Sequence, residues 1–151
     1  MAVTLEQIIS WFPKLQNDPL FRLTSPADYD YNCIAWAMGI NDKWCWPWTT
    51  YGNPVFWPSE STEDLSSEAF VKLFETMGYE ICQNEDVEEN YMKVALFVDD
   101  TNSVSHAARQ LPDGSWTSKL GPYQDIRHSL HALEGDIYGN VAVIMQKTTT
   151  S

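Results

Sequence analysis

Cationic residues are scarce in this chain. Nine Lys and Arg stand against 21 Asp and Glu over 151 residues, a formal net charge of −12. Nucleic acid and anionic membrane surfaces are held through clustered Lys and Arg, so neither is expected as a partner, whereas a basic protein suits the charge. Cysteine and histidine are sparse too. Cys33, Cys45 and Cys82 cannot all pair within one chain, no Cys-x-x-Cys occurs, and only three His are present. Neither a disulfide framework nor a zinc knuckle is expected, and no cofactor is implied. No apolar run approaches membrane length, and the N-terminus lacks the basic, apolar and small-residue order of a cleaved signal. A reducing, cytoplasmic setting is expected, with delivery that needs no cleaved signal left open. There is no internal repeat and no linker, so residues 1–151 read as one domain.

Aromatic residues are in surplus, with seven Trp and 13% aromatic content, and the surplus is concentrated in 41–58. There Trp44, Trp46, Trp48, Tyr51, Phe56 and Trp57 alternate with Pro47, Pro54 and Pro58. No helical or strand period fits. The segment reads as an ordered aromatic loop, either a lid over the core or one wall of a groove.

Thr4-Leu5-Glu6-Gln7 is a capping box, and Leu5, Ile8, Ile9 and Phe12 share one face of the helix it starts. Residues 13–30, with Pro13, Pro19 and Pro26, read as a loop-rich approach pinned by Leu15, Leu20, Phe21 and Leu23. Ser61-Thr62-Glu63-Asp64 opens the clearest helix, carried by Leu65, Ala69, Leu73 and Met77 and closed by Gly78. Tyr79 to Cys82 is a short strand. The acidic connection 83–90 lacks the glycine and alternating oxygens of an EF-hand. Val94 to Val98 is a buried central strand, Asp125 to Leu133 a loop or short helix, and Tyr138 to Gln146 a last strand. Helices followed by antiparallel strands make an α+β domain.

The stretch Leu111-Pro112-Asp113-Gly114-Ser115 fits a type I turn with a left-handed position at Gly114. That turn sets a register with Leu111 opposite Ser115, Ala108 opposite Ser118 and His106 opposite Leu120. Alternation then gives His106, Ala108 and Gln110 one face, shared with Trp116, Ser118 and Leu120. Arg109 and Lys119 fall on the other face, read as solvated. His128 and His131 read as neighbours on a helical turn that hold a metal only if carboxylates join them; no metal site is predicted.

Asp28, Asp30 and Asn32 are helix-capping residue types, and the small apolar run behind them lasts until Gly39. This predicts a short buried helix with Cys33 in its first turn. Unpaired N–H groups and the dipole there favour a thiolate and suit a developing oxyanion. The ordinary reading of Cys33 is a small core residue, and that of His106 a satisfied sheet histidine.

A cysteine opening an early helix, then a histidine on the first arm of a later antiparallel hairpin, resembles the papain-like arrangement shared by NlpC-type amidases. Asn32-Cys33-Ile34-Ala35-Trp36-Ala37, the Trp/Pro-rich loop, and His106-Ala107-Ala108-Arg109-Gln110-Leu111 followed by Trp116-Thr117-Ser118-Lys119-Leu120-Gly121 also resemble an uncharacterised bacterial domain family. That second likeness covers most of residues 31–140. The papain-like resemblance implies N-terminal helices packed on an antiparallel sheet, with Cys33 as nucleophile and His106 as its base. A third polar group on the neighbouring strand is implied, either Ser118 or Asp125.

The expected function is a cysteine-dependent hydrolase or acyl-transferase acting on a peptide or other amide: a peptidase, amidase, deamidase or transglutaminase-like enzyme. Asn32, Trp36, Trp44, Trp46, Trp57 and Trp116 are the expected substrate contacts. The alternatives are a non-catalytic module holding a basic or carbohydrate partner through the aromatic loop, and an immunity-type regulatory protein that keeps the Cys–His pair as a relic. The catalytic reading requires the Cys33 sulfur within about 4 Å of a His106 nitrogen. It also requires a thiol pKa below about 8.5 and a raised imidazole pKa.

Overall fold

The Thr4 capping box forms as its sequence requires: Gln7 N–H donates to Thr4 Oγ1 at 3.1 Å, and Thr4 N–H donates to Gln7 Oε1 at 2.9 Å. The computed structural model in which it is seen describes residues 4–25, 33–37, 44–45, 55–57, 65–120 and 125–148. The box starts α1 (Leu5–Trp11), which buries Ile8, while Phe12 and Leu15 are buried just beyond it and Leu5 faces solvent. The approach that follows is more regular than expected. Pro13, with no N–H to leave unpaired, opens a 3-10 turn over Pro13–Asn17, and Arg22–Ser25 form a strand, β1. Leu23, expected to pin this segment, is exposed.

Cys33–Ala37 form α2, with Cys33 at its start as predicted and Ile34, Ala35 and Ala37 buried. Trp44–Cys45 (β2) and Val55–Phe56 (β3) pair in parallel, Trp44 with Val55 and Cys45 with Phe56. The aromatic segment therefore contains a two-stranded ladder where only a loop was expected. Asn32, Gly39, Trp46, Trp48, Tyr51 and the predicted helix start at Ser61 to Asp64 lie outside the described residues. The third helix, α3 (Ser67–Thr76), is capped by Ser66, whose Oγ accepts the Ala69 N–H at 3.2 Å. Gly78 closes it with φ of +96°, and Tyr79 N–H returns to Phe74 O at 3.0 Å.

Six further strands follow: β4 (Glu80–Cys82), β5 (Tyr91–Val98), β6 (Val104–Gln110), β7 (Trp116–Lys119), β8 (Asp125–His128) and β9 (Asn140–Thr148). With β1 they make a seven-stranded antiparallel sheet in the order β1-β8-β7-β6-β5-β9-β4. The fold class is α+β. The turn chemistry sets the hairpin register: Leu111 N–H donates to Ser115 O at 2.7 Å, and Gln110 pairs with Trp116 and Arg109 with Thr117. Asp125–His128, expected as loop or helix, is a strand because it pairs on both sides, with β7 and β1. A 3-10 turn over Leu130–Leu133 follows. No helix among the described residues is long and apolar enough to cross a membrane.

Alternation through the sheet divides the core in two. Val94, Leu96, Ala107 and Met145 pack with α2 and α3; Ala95, Phe97, Ala108, Trp116 and Ile126 pack with α1 and the two 3-10 turns. The face expected to be solvated is therefore covered by α2. Lys119 is fully buried on it, and the Arg109 guanidinium lies over the Trp36 ring at 4.6 Å.

Candidate functional site

Cys33 joins the core that α2 and α3 share. Burial pushes its thiol pKa up to about 11, against the N–H groups of Ala107, Ile34 and Cys33 itself and the charge of Lys119, all of which favour the thiolate. The helix-start effect predicted from sequence is present in sign. Loss of water outweighs it, and the thiol is neutral at pH 7.

His106 shares the face of Ala108 and points to the other core, and a bulge lies just before it. Phe97 pairs with His106 but Val98 pairs with Val104, which leaves Ser105 as an extra residue. In a regular strand Val104 and His106 would share a face. The bulge instead puts Val104 in the α2 and α3 core, while His106, in register with Phe97, stays on the face of Ala108. Tyr138 stacks on it at 4.0 Å with planes 4° apart, and Phe97 meets it edge-on at 5.3 Å. His106 is fully buried, and neither ring nitrogen has a hydrogen-bond partner among the described residues. Burial, reinforced by the charge of His128, holds its pKa well below the usual value.

The expected Cys33–His106 hydrogen bond is thus not made, and both pKa shifts run opposite to expectation. The two groups lie on opposite faces of the sheet, Cys33 in the core shared with α2 and α3 and His106 against residues of the other core. Cys33 packs in the same core as Ala107, the residue next to His106 in β6, whose side chain faces away from His106. Tyr138, whose ring covers His106, has its hydroxyl pKa raised by burial and further by the charge of Cys33.

Ser118 is on the His106 side of the hairpin, as the register requires, but its partner is another histidine. Its Oγ lies 2.7 Å from His128 Nε2, and both residues are fully buried. His128 Nδ1 lies 2.8 Å from Ser129 O. A carbonyl only accepts, so Nδ1 carries the proton and Nε2 accepts from Ser118. Ser129 is itself fixed by Asp18, which accepts its N–H and its Oγ–H, each at 2.7 Å. Burial brings the His128 pKa down to about 4, opposed by the Ser129 hydrogen bond and the Asp18 charge. His128 and His131 are not helical neighbours: His128 sits in β8, whereas His131 is exposed between Glu85 at 2.9 Å and Glu134 at 3.0 Å. Asp125, the other candidate orienter, is fully buried opposite Lys119 in the β7–β8 register, on the α2 side with Arg109.

Of the expected substrate contacts, Trp116 is buried in the core beside α1 and does not face Cys33. Trp36 holds Arg109 through its ring and carbonyl, and its Nε1–H lies 3.4 Å from Thr117 Oγ1. Trp57 packs edge-on against Phe70 of α3 at 5.1 Å. These positions are structural contacts. Trp44 stands in β2, and Asn32 and Trp46 lie outside the described residues. A cleft of about 690 Å³ opens between the acidic connection and the β6–β7 turn, lined by Val87, Glu88, Met92, Gln110 and Leu111. Neither Cys33 nor His106 lines it. Among the described residues no three His, Cys, Asp or Glu side chains gather as metal ligands. Sequence reasoning missed His128, Tyr138 and Lys119 as members of this region, and nothing in their spacing marks them.

A family model described as a domain of unknown function, DUF7689, matches residues 22–146. The chain belongs to that family. No curated protein and no solved structure matches it. The part of this DUF7689 domain that the model matches runs from β1 into β9 and so contains Cys33, His106, Ser118, His128 and Tyr138.

Proposed function

We propose that this DUF7689 domain is a cysteine-dependent amide hydrolase or acyl-transferase of papain-like, NlpC-like arrangement, with Cys33 as nucleophile and His106 as general base. The observation that carries this reading is the fully buried imidazole of His106, with neither nitrogen hydrogen-bonded among the described residues, on the strand against which α2 packs Cys33. A buried histidine with unsatisfied nitrogens costs stability, and a catalytic role is one reason for a fold to keep it.

Because both groups are neutral, the pair works by proton transfer and not as a standing ion pair. Cys33 and His106 lie on opposite faces of β6 in this structure, so the reaction requires β6 to shift and bring the thiol to a His106 nitrogen. The sulfur then attacks the amide carbonyl carbon as its proton passes to the imidazole. The C–N bond breaks, the amine takes that proton, and the acyl group remains on Cys33 as a thioester. Water completes hydrolysis, and a second amine completes acyl transfer. The substrate is a peptide or other amide-bearing molecule.

A set of peptide p-nitroanilides and activated acyl esters, read by intact-mass spectrometry, tests this. The expected result is an acyl adduct on Cys33, absent in Cys33→Ala and at least about 100-fold slower in His106→Ala. Acylation spread over Cys45 and Cys82 and indifferent to His106→Ala overturns the reading.

A second reading, a non-catalytic module for a basic partner, is favoured by one observation. Cys33 is buried in the α2 and α3 core, and that burial raises its thiol pKa to about 11, as for a structural cysteine. Titration with a cationic peptide at low and high salt tests it, and salt-insensitive or absent binding removes it.

A further inference from the structure

Tyr138 is held more firmly than packing alone requires. Its carbonyl accepts a hydrogen bond from Ser105 Oγ, the side chain of the bulged residue that precedes His106. The turn beside it is closed by two reciprocal backbone bonds, Gly135 N–H to Gly139 O at 3.0 Å and Gly139 N–H to Gly135 O at 2.9 Å. Gly139 has φ of +78°, and a Cβ there would fall 1.9 Å from Val98 O. The Tyr138 ring also touches Phe12 at 5.0 Å and Phe97 at 6.3 Å. It therefore has little freedom to move, and it lies flat on the imidazole at 4.0 Å.

We propose that Tyr138 is the positioning residue of the Cys33–His106 site, its stacked ring fixing the His106 imidazole in one orientation and keeping water from both nitrogens. This rests on the hydrolase reading. Among the described residues no hydrogen bond sets the angle of this imidazole, and Tyr138 and Phe97 make its ring contacts. The orienting task that a polar third group performs in a triad falls here to an aromatic face. Ser118 is not available for that task because its hydroxyl is given to His128. Tyr138 acts through His106 and takes no part in bond making.

The test compares Tyr138→Leu, Tyr138→Phe and Ser105→Ala in the full chain, with melting curves to verify folding. Two readouts are taken: the kcat and KM of Cys33 acylation, and the His106 ring resonances over a pH series. Tyr138→Leu is expected to lower kcat at least tenfold with KM unchanged. It should also remove the upfield ring-current shift of His106 and move its protonation midpoint up toward that of a free histidine. Tyr138→Phe keeps the stacked face and is expected to keep both properties. Ser105→Ala frees the Tyr138 carbonyl and is expected to broaden the His106 resonances, which serves if Tyr138→Leu does not fold. Unchanged His106 resonances in Tyr138→Leu and Ser105→Ala overturn the proposal whatever the activity. A loss in Tyr138→Phe as large as in Tyr138→Leu overturns stacking as the cause. Absence of acylation in the wild-type chain, with the resonance changes present, removes the hydrolase reading while the orientation of His106 by Tyr138 stands.

Discussion

Ser118 Oγ sits 2.7 Å from His128 Nε2 in a region that water does not reach. The histidine can accept that bond only while neutral. Its pKa is brought down to about 4, whereas in the unfolded chain it returns to an ordinary histidine value. Between these two values the unfolded chain binds the extra proton and the folded one does not, so stability is lost as pH falls. The full effect for this one group is about 3 kcal/mol below its folded pKa. His106, shifted in the same direction, adds to it. Urea denaturation at pH 7.0, 5.5 and 4.5 is expected to show falling stability. His128→Gln, which still accepts from Ser118, should flatten the curve. Equal stability across the series would sink the assignment of a neutral buried His128.

Cys33 gives the opposite pH signature. With its pKa near 11, carbamidomethylation of the substrate-free chain should be slow at pH 7 and rise only in strongly alkaline solution. Cys82, partly exposed on β4, should be modified first. Peptide mapping after a short exposure checks the order, and rapid labelling of Cys33 at pH 7 would be incompatible with its burial.

Lys93 is fully buried, yet its ammonium reaches Glu88 at 2.6 Å, Asn84 Oδ1 at 2.9 Å and Asn84 O at 3.2 Å. It ties the acidic connection to β5. Removing one partner from a buried cation is costlier than removing the cation, because the charge is then left unmatched. Glu88→Gln is therefore expected to cost roughly 1–3 kcal/mol, reduced from the fully buried case by the exposure of Glu88. Lys93→Met should change global stability little while making 83–90 a preferred protease site. Chemical denaturation and limited proteolysis of the two variants separate these outcomes, and identical behaviour falsifies the anchor role.

Gly139→Ala should be among the most damaging single changes. The new methyl would meet the Val98 carbonyl at 1.9 Å, and backbone cannot swing aside as a side-chain tip can. A loss of at least about 2 kcal/mol is expected from clash and positive φ together. A melting temperature within a degree or two of the wild type would contradict it.

The hairpin was legible because turn chemistry is local: Pro112 and Gly114 fix the register without help from the rest of the chain. The capping box, the Gly78 stop and the continuous apolar run of β5 were legible for the same reason. What failed was non-local. Arg22 to Ser25 carry no burial pattern that names a strand, and β1 exists because β8 supplies its partner. Alternation correctly divided Arg109 and Lys119 from His106, but it does not say which face a helix will cover, so Lys119 was misjudged as solvated. The bulge at Ser105 has no sequence signature, and it decides which core Val104 enters. Direction of the Cys33 pKa was missed because a helix start and deep burial act in opposite senses, and only the packed structure tells which prevails.

The pairing of Arg22 with Arg127 also has a consequence for how the molecule is made. About a hundred residues separate these partners, whereas β5 to β8 follow one another along the chain and join through local hairpins. On a ribosome β1 emerges long before β8, the strand it must join, and this border of the sheet closes only after residue 128 has left the tunnel. Nascent chains arrested before residue 125 should therefore be cut by protease within 22–25, and chains extended past residue 148 and released should be protected there.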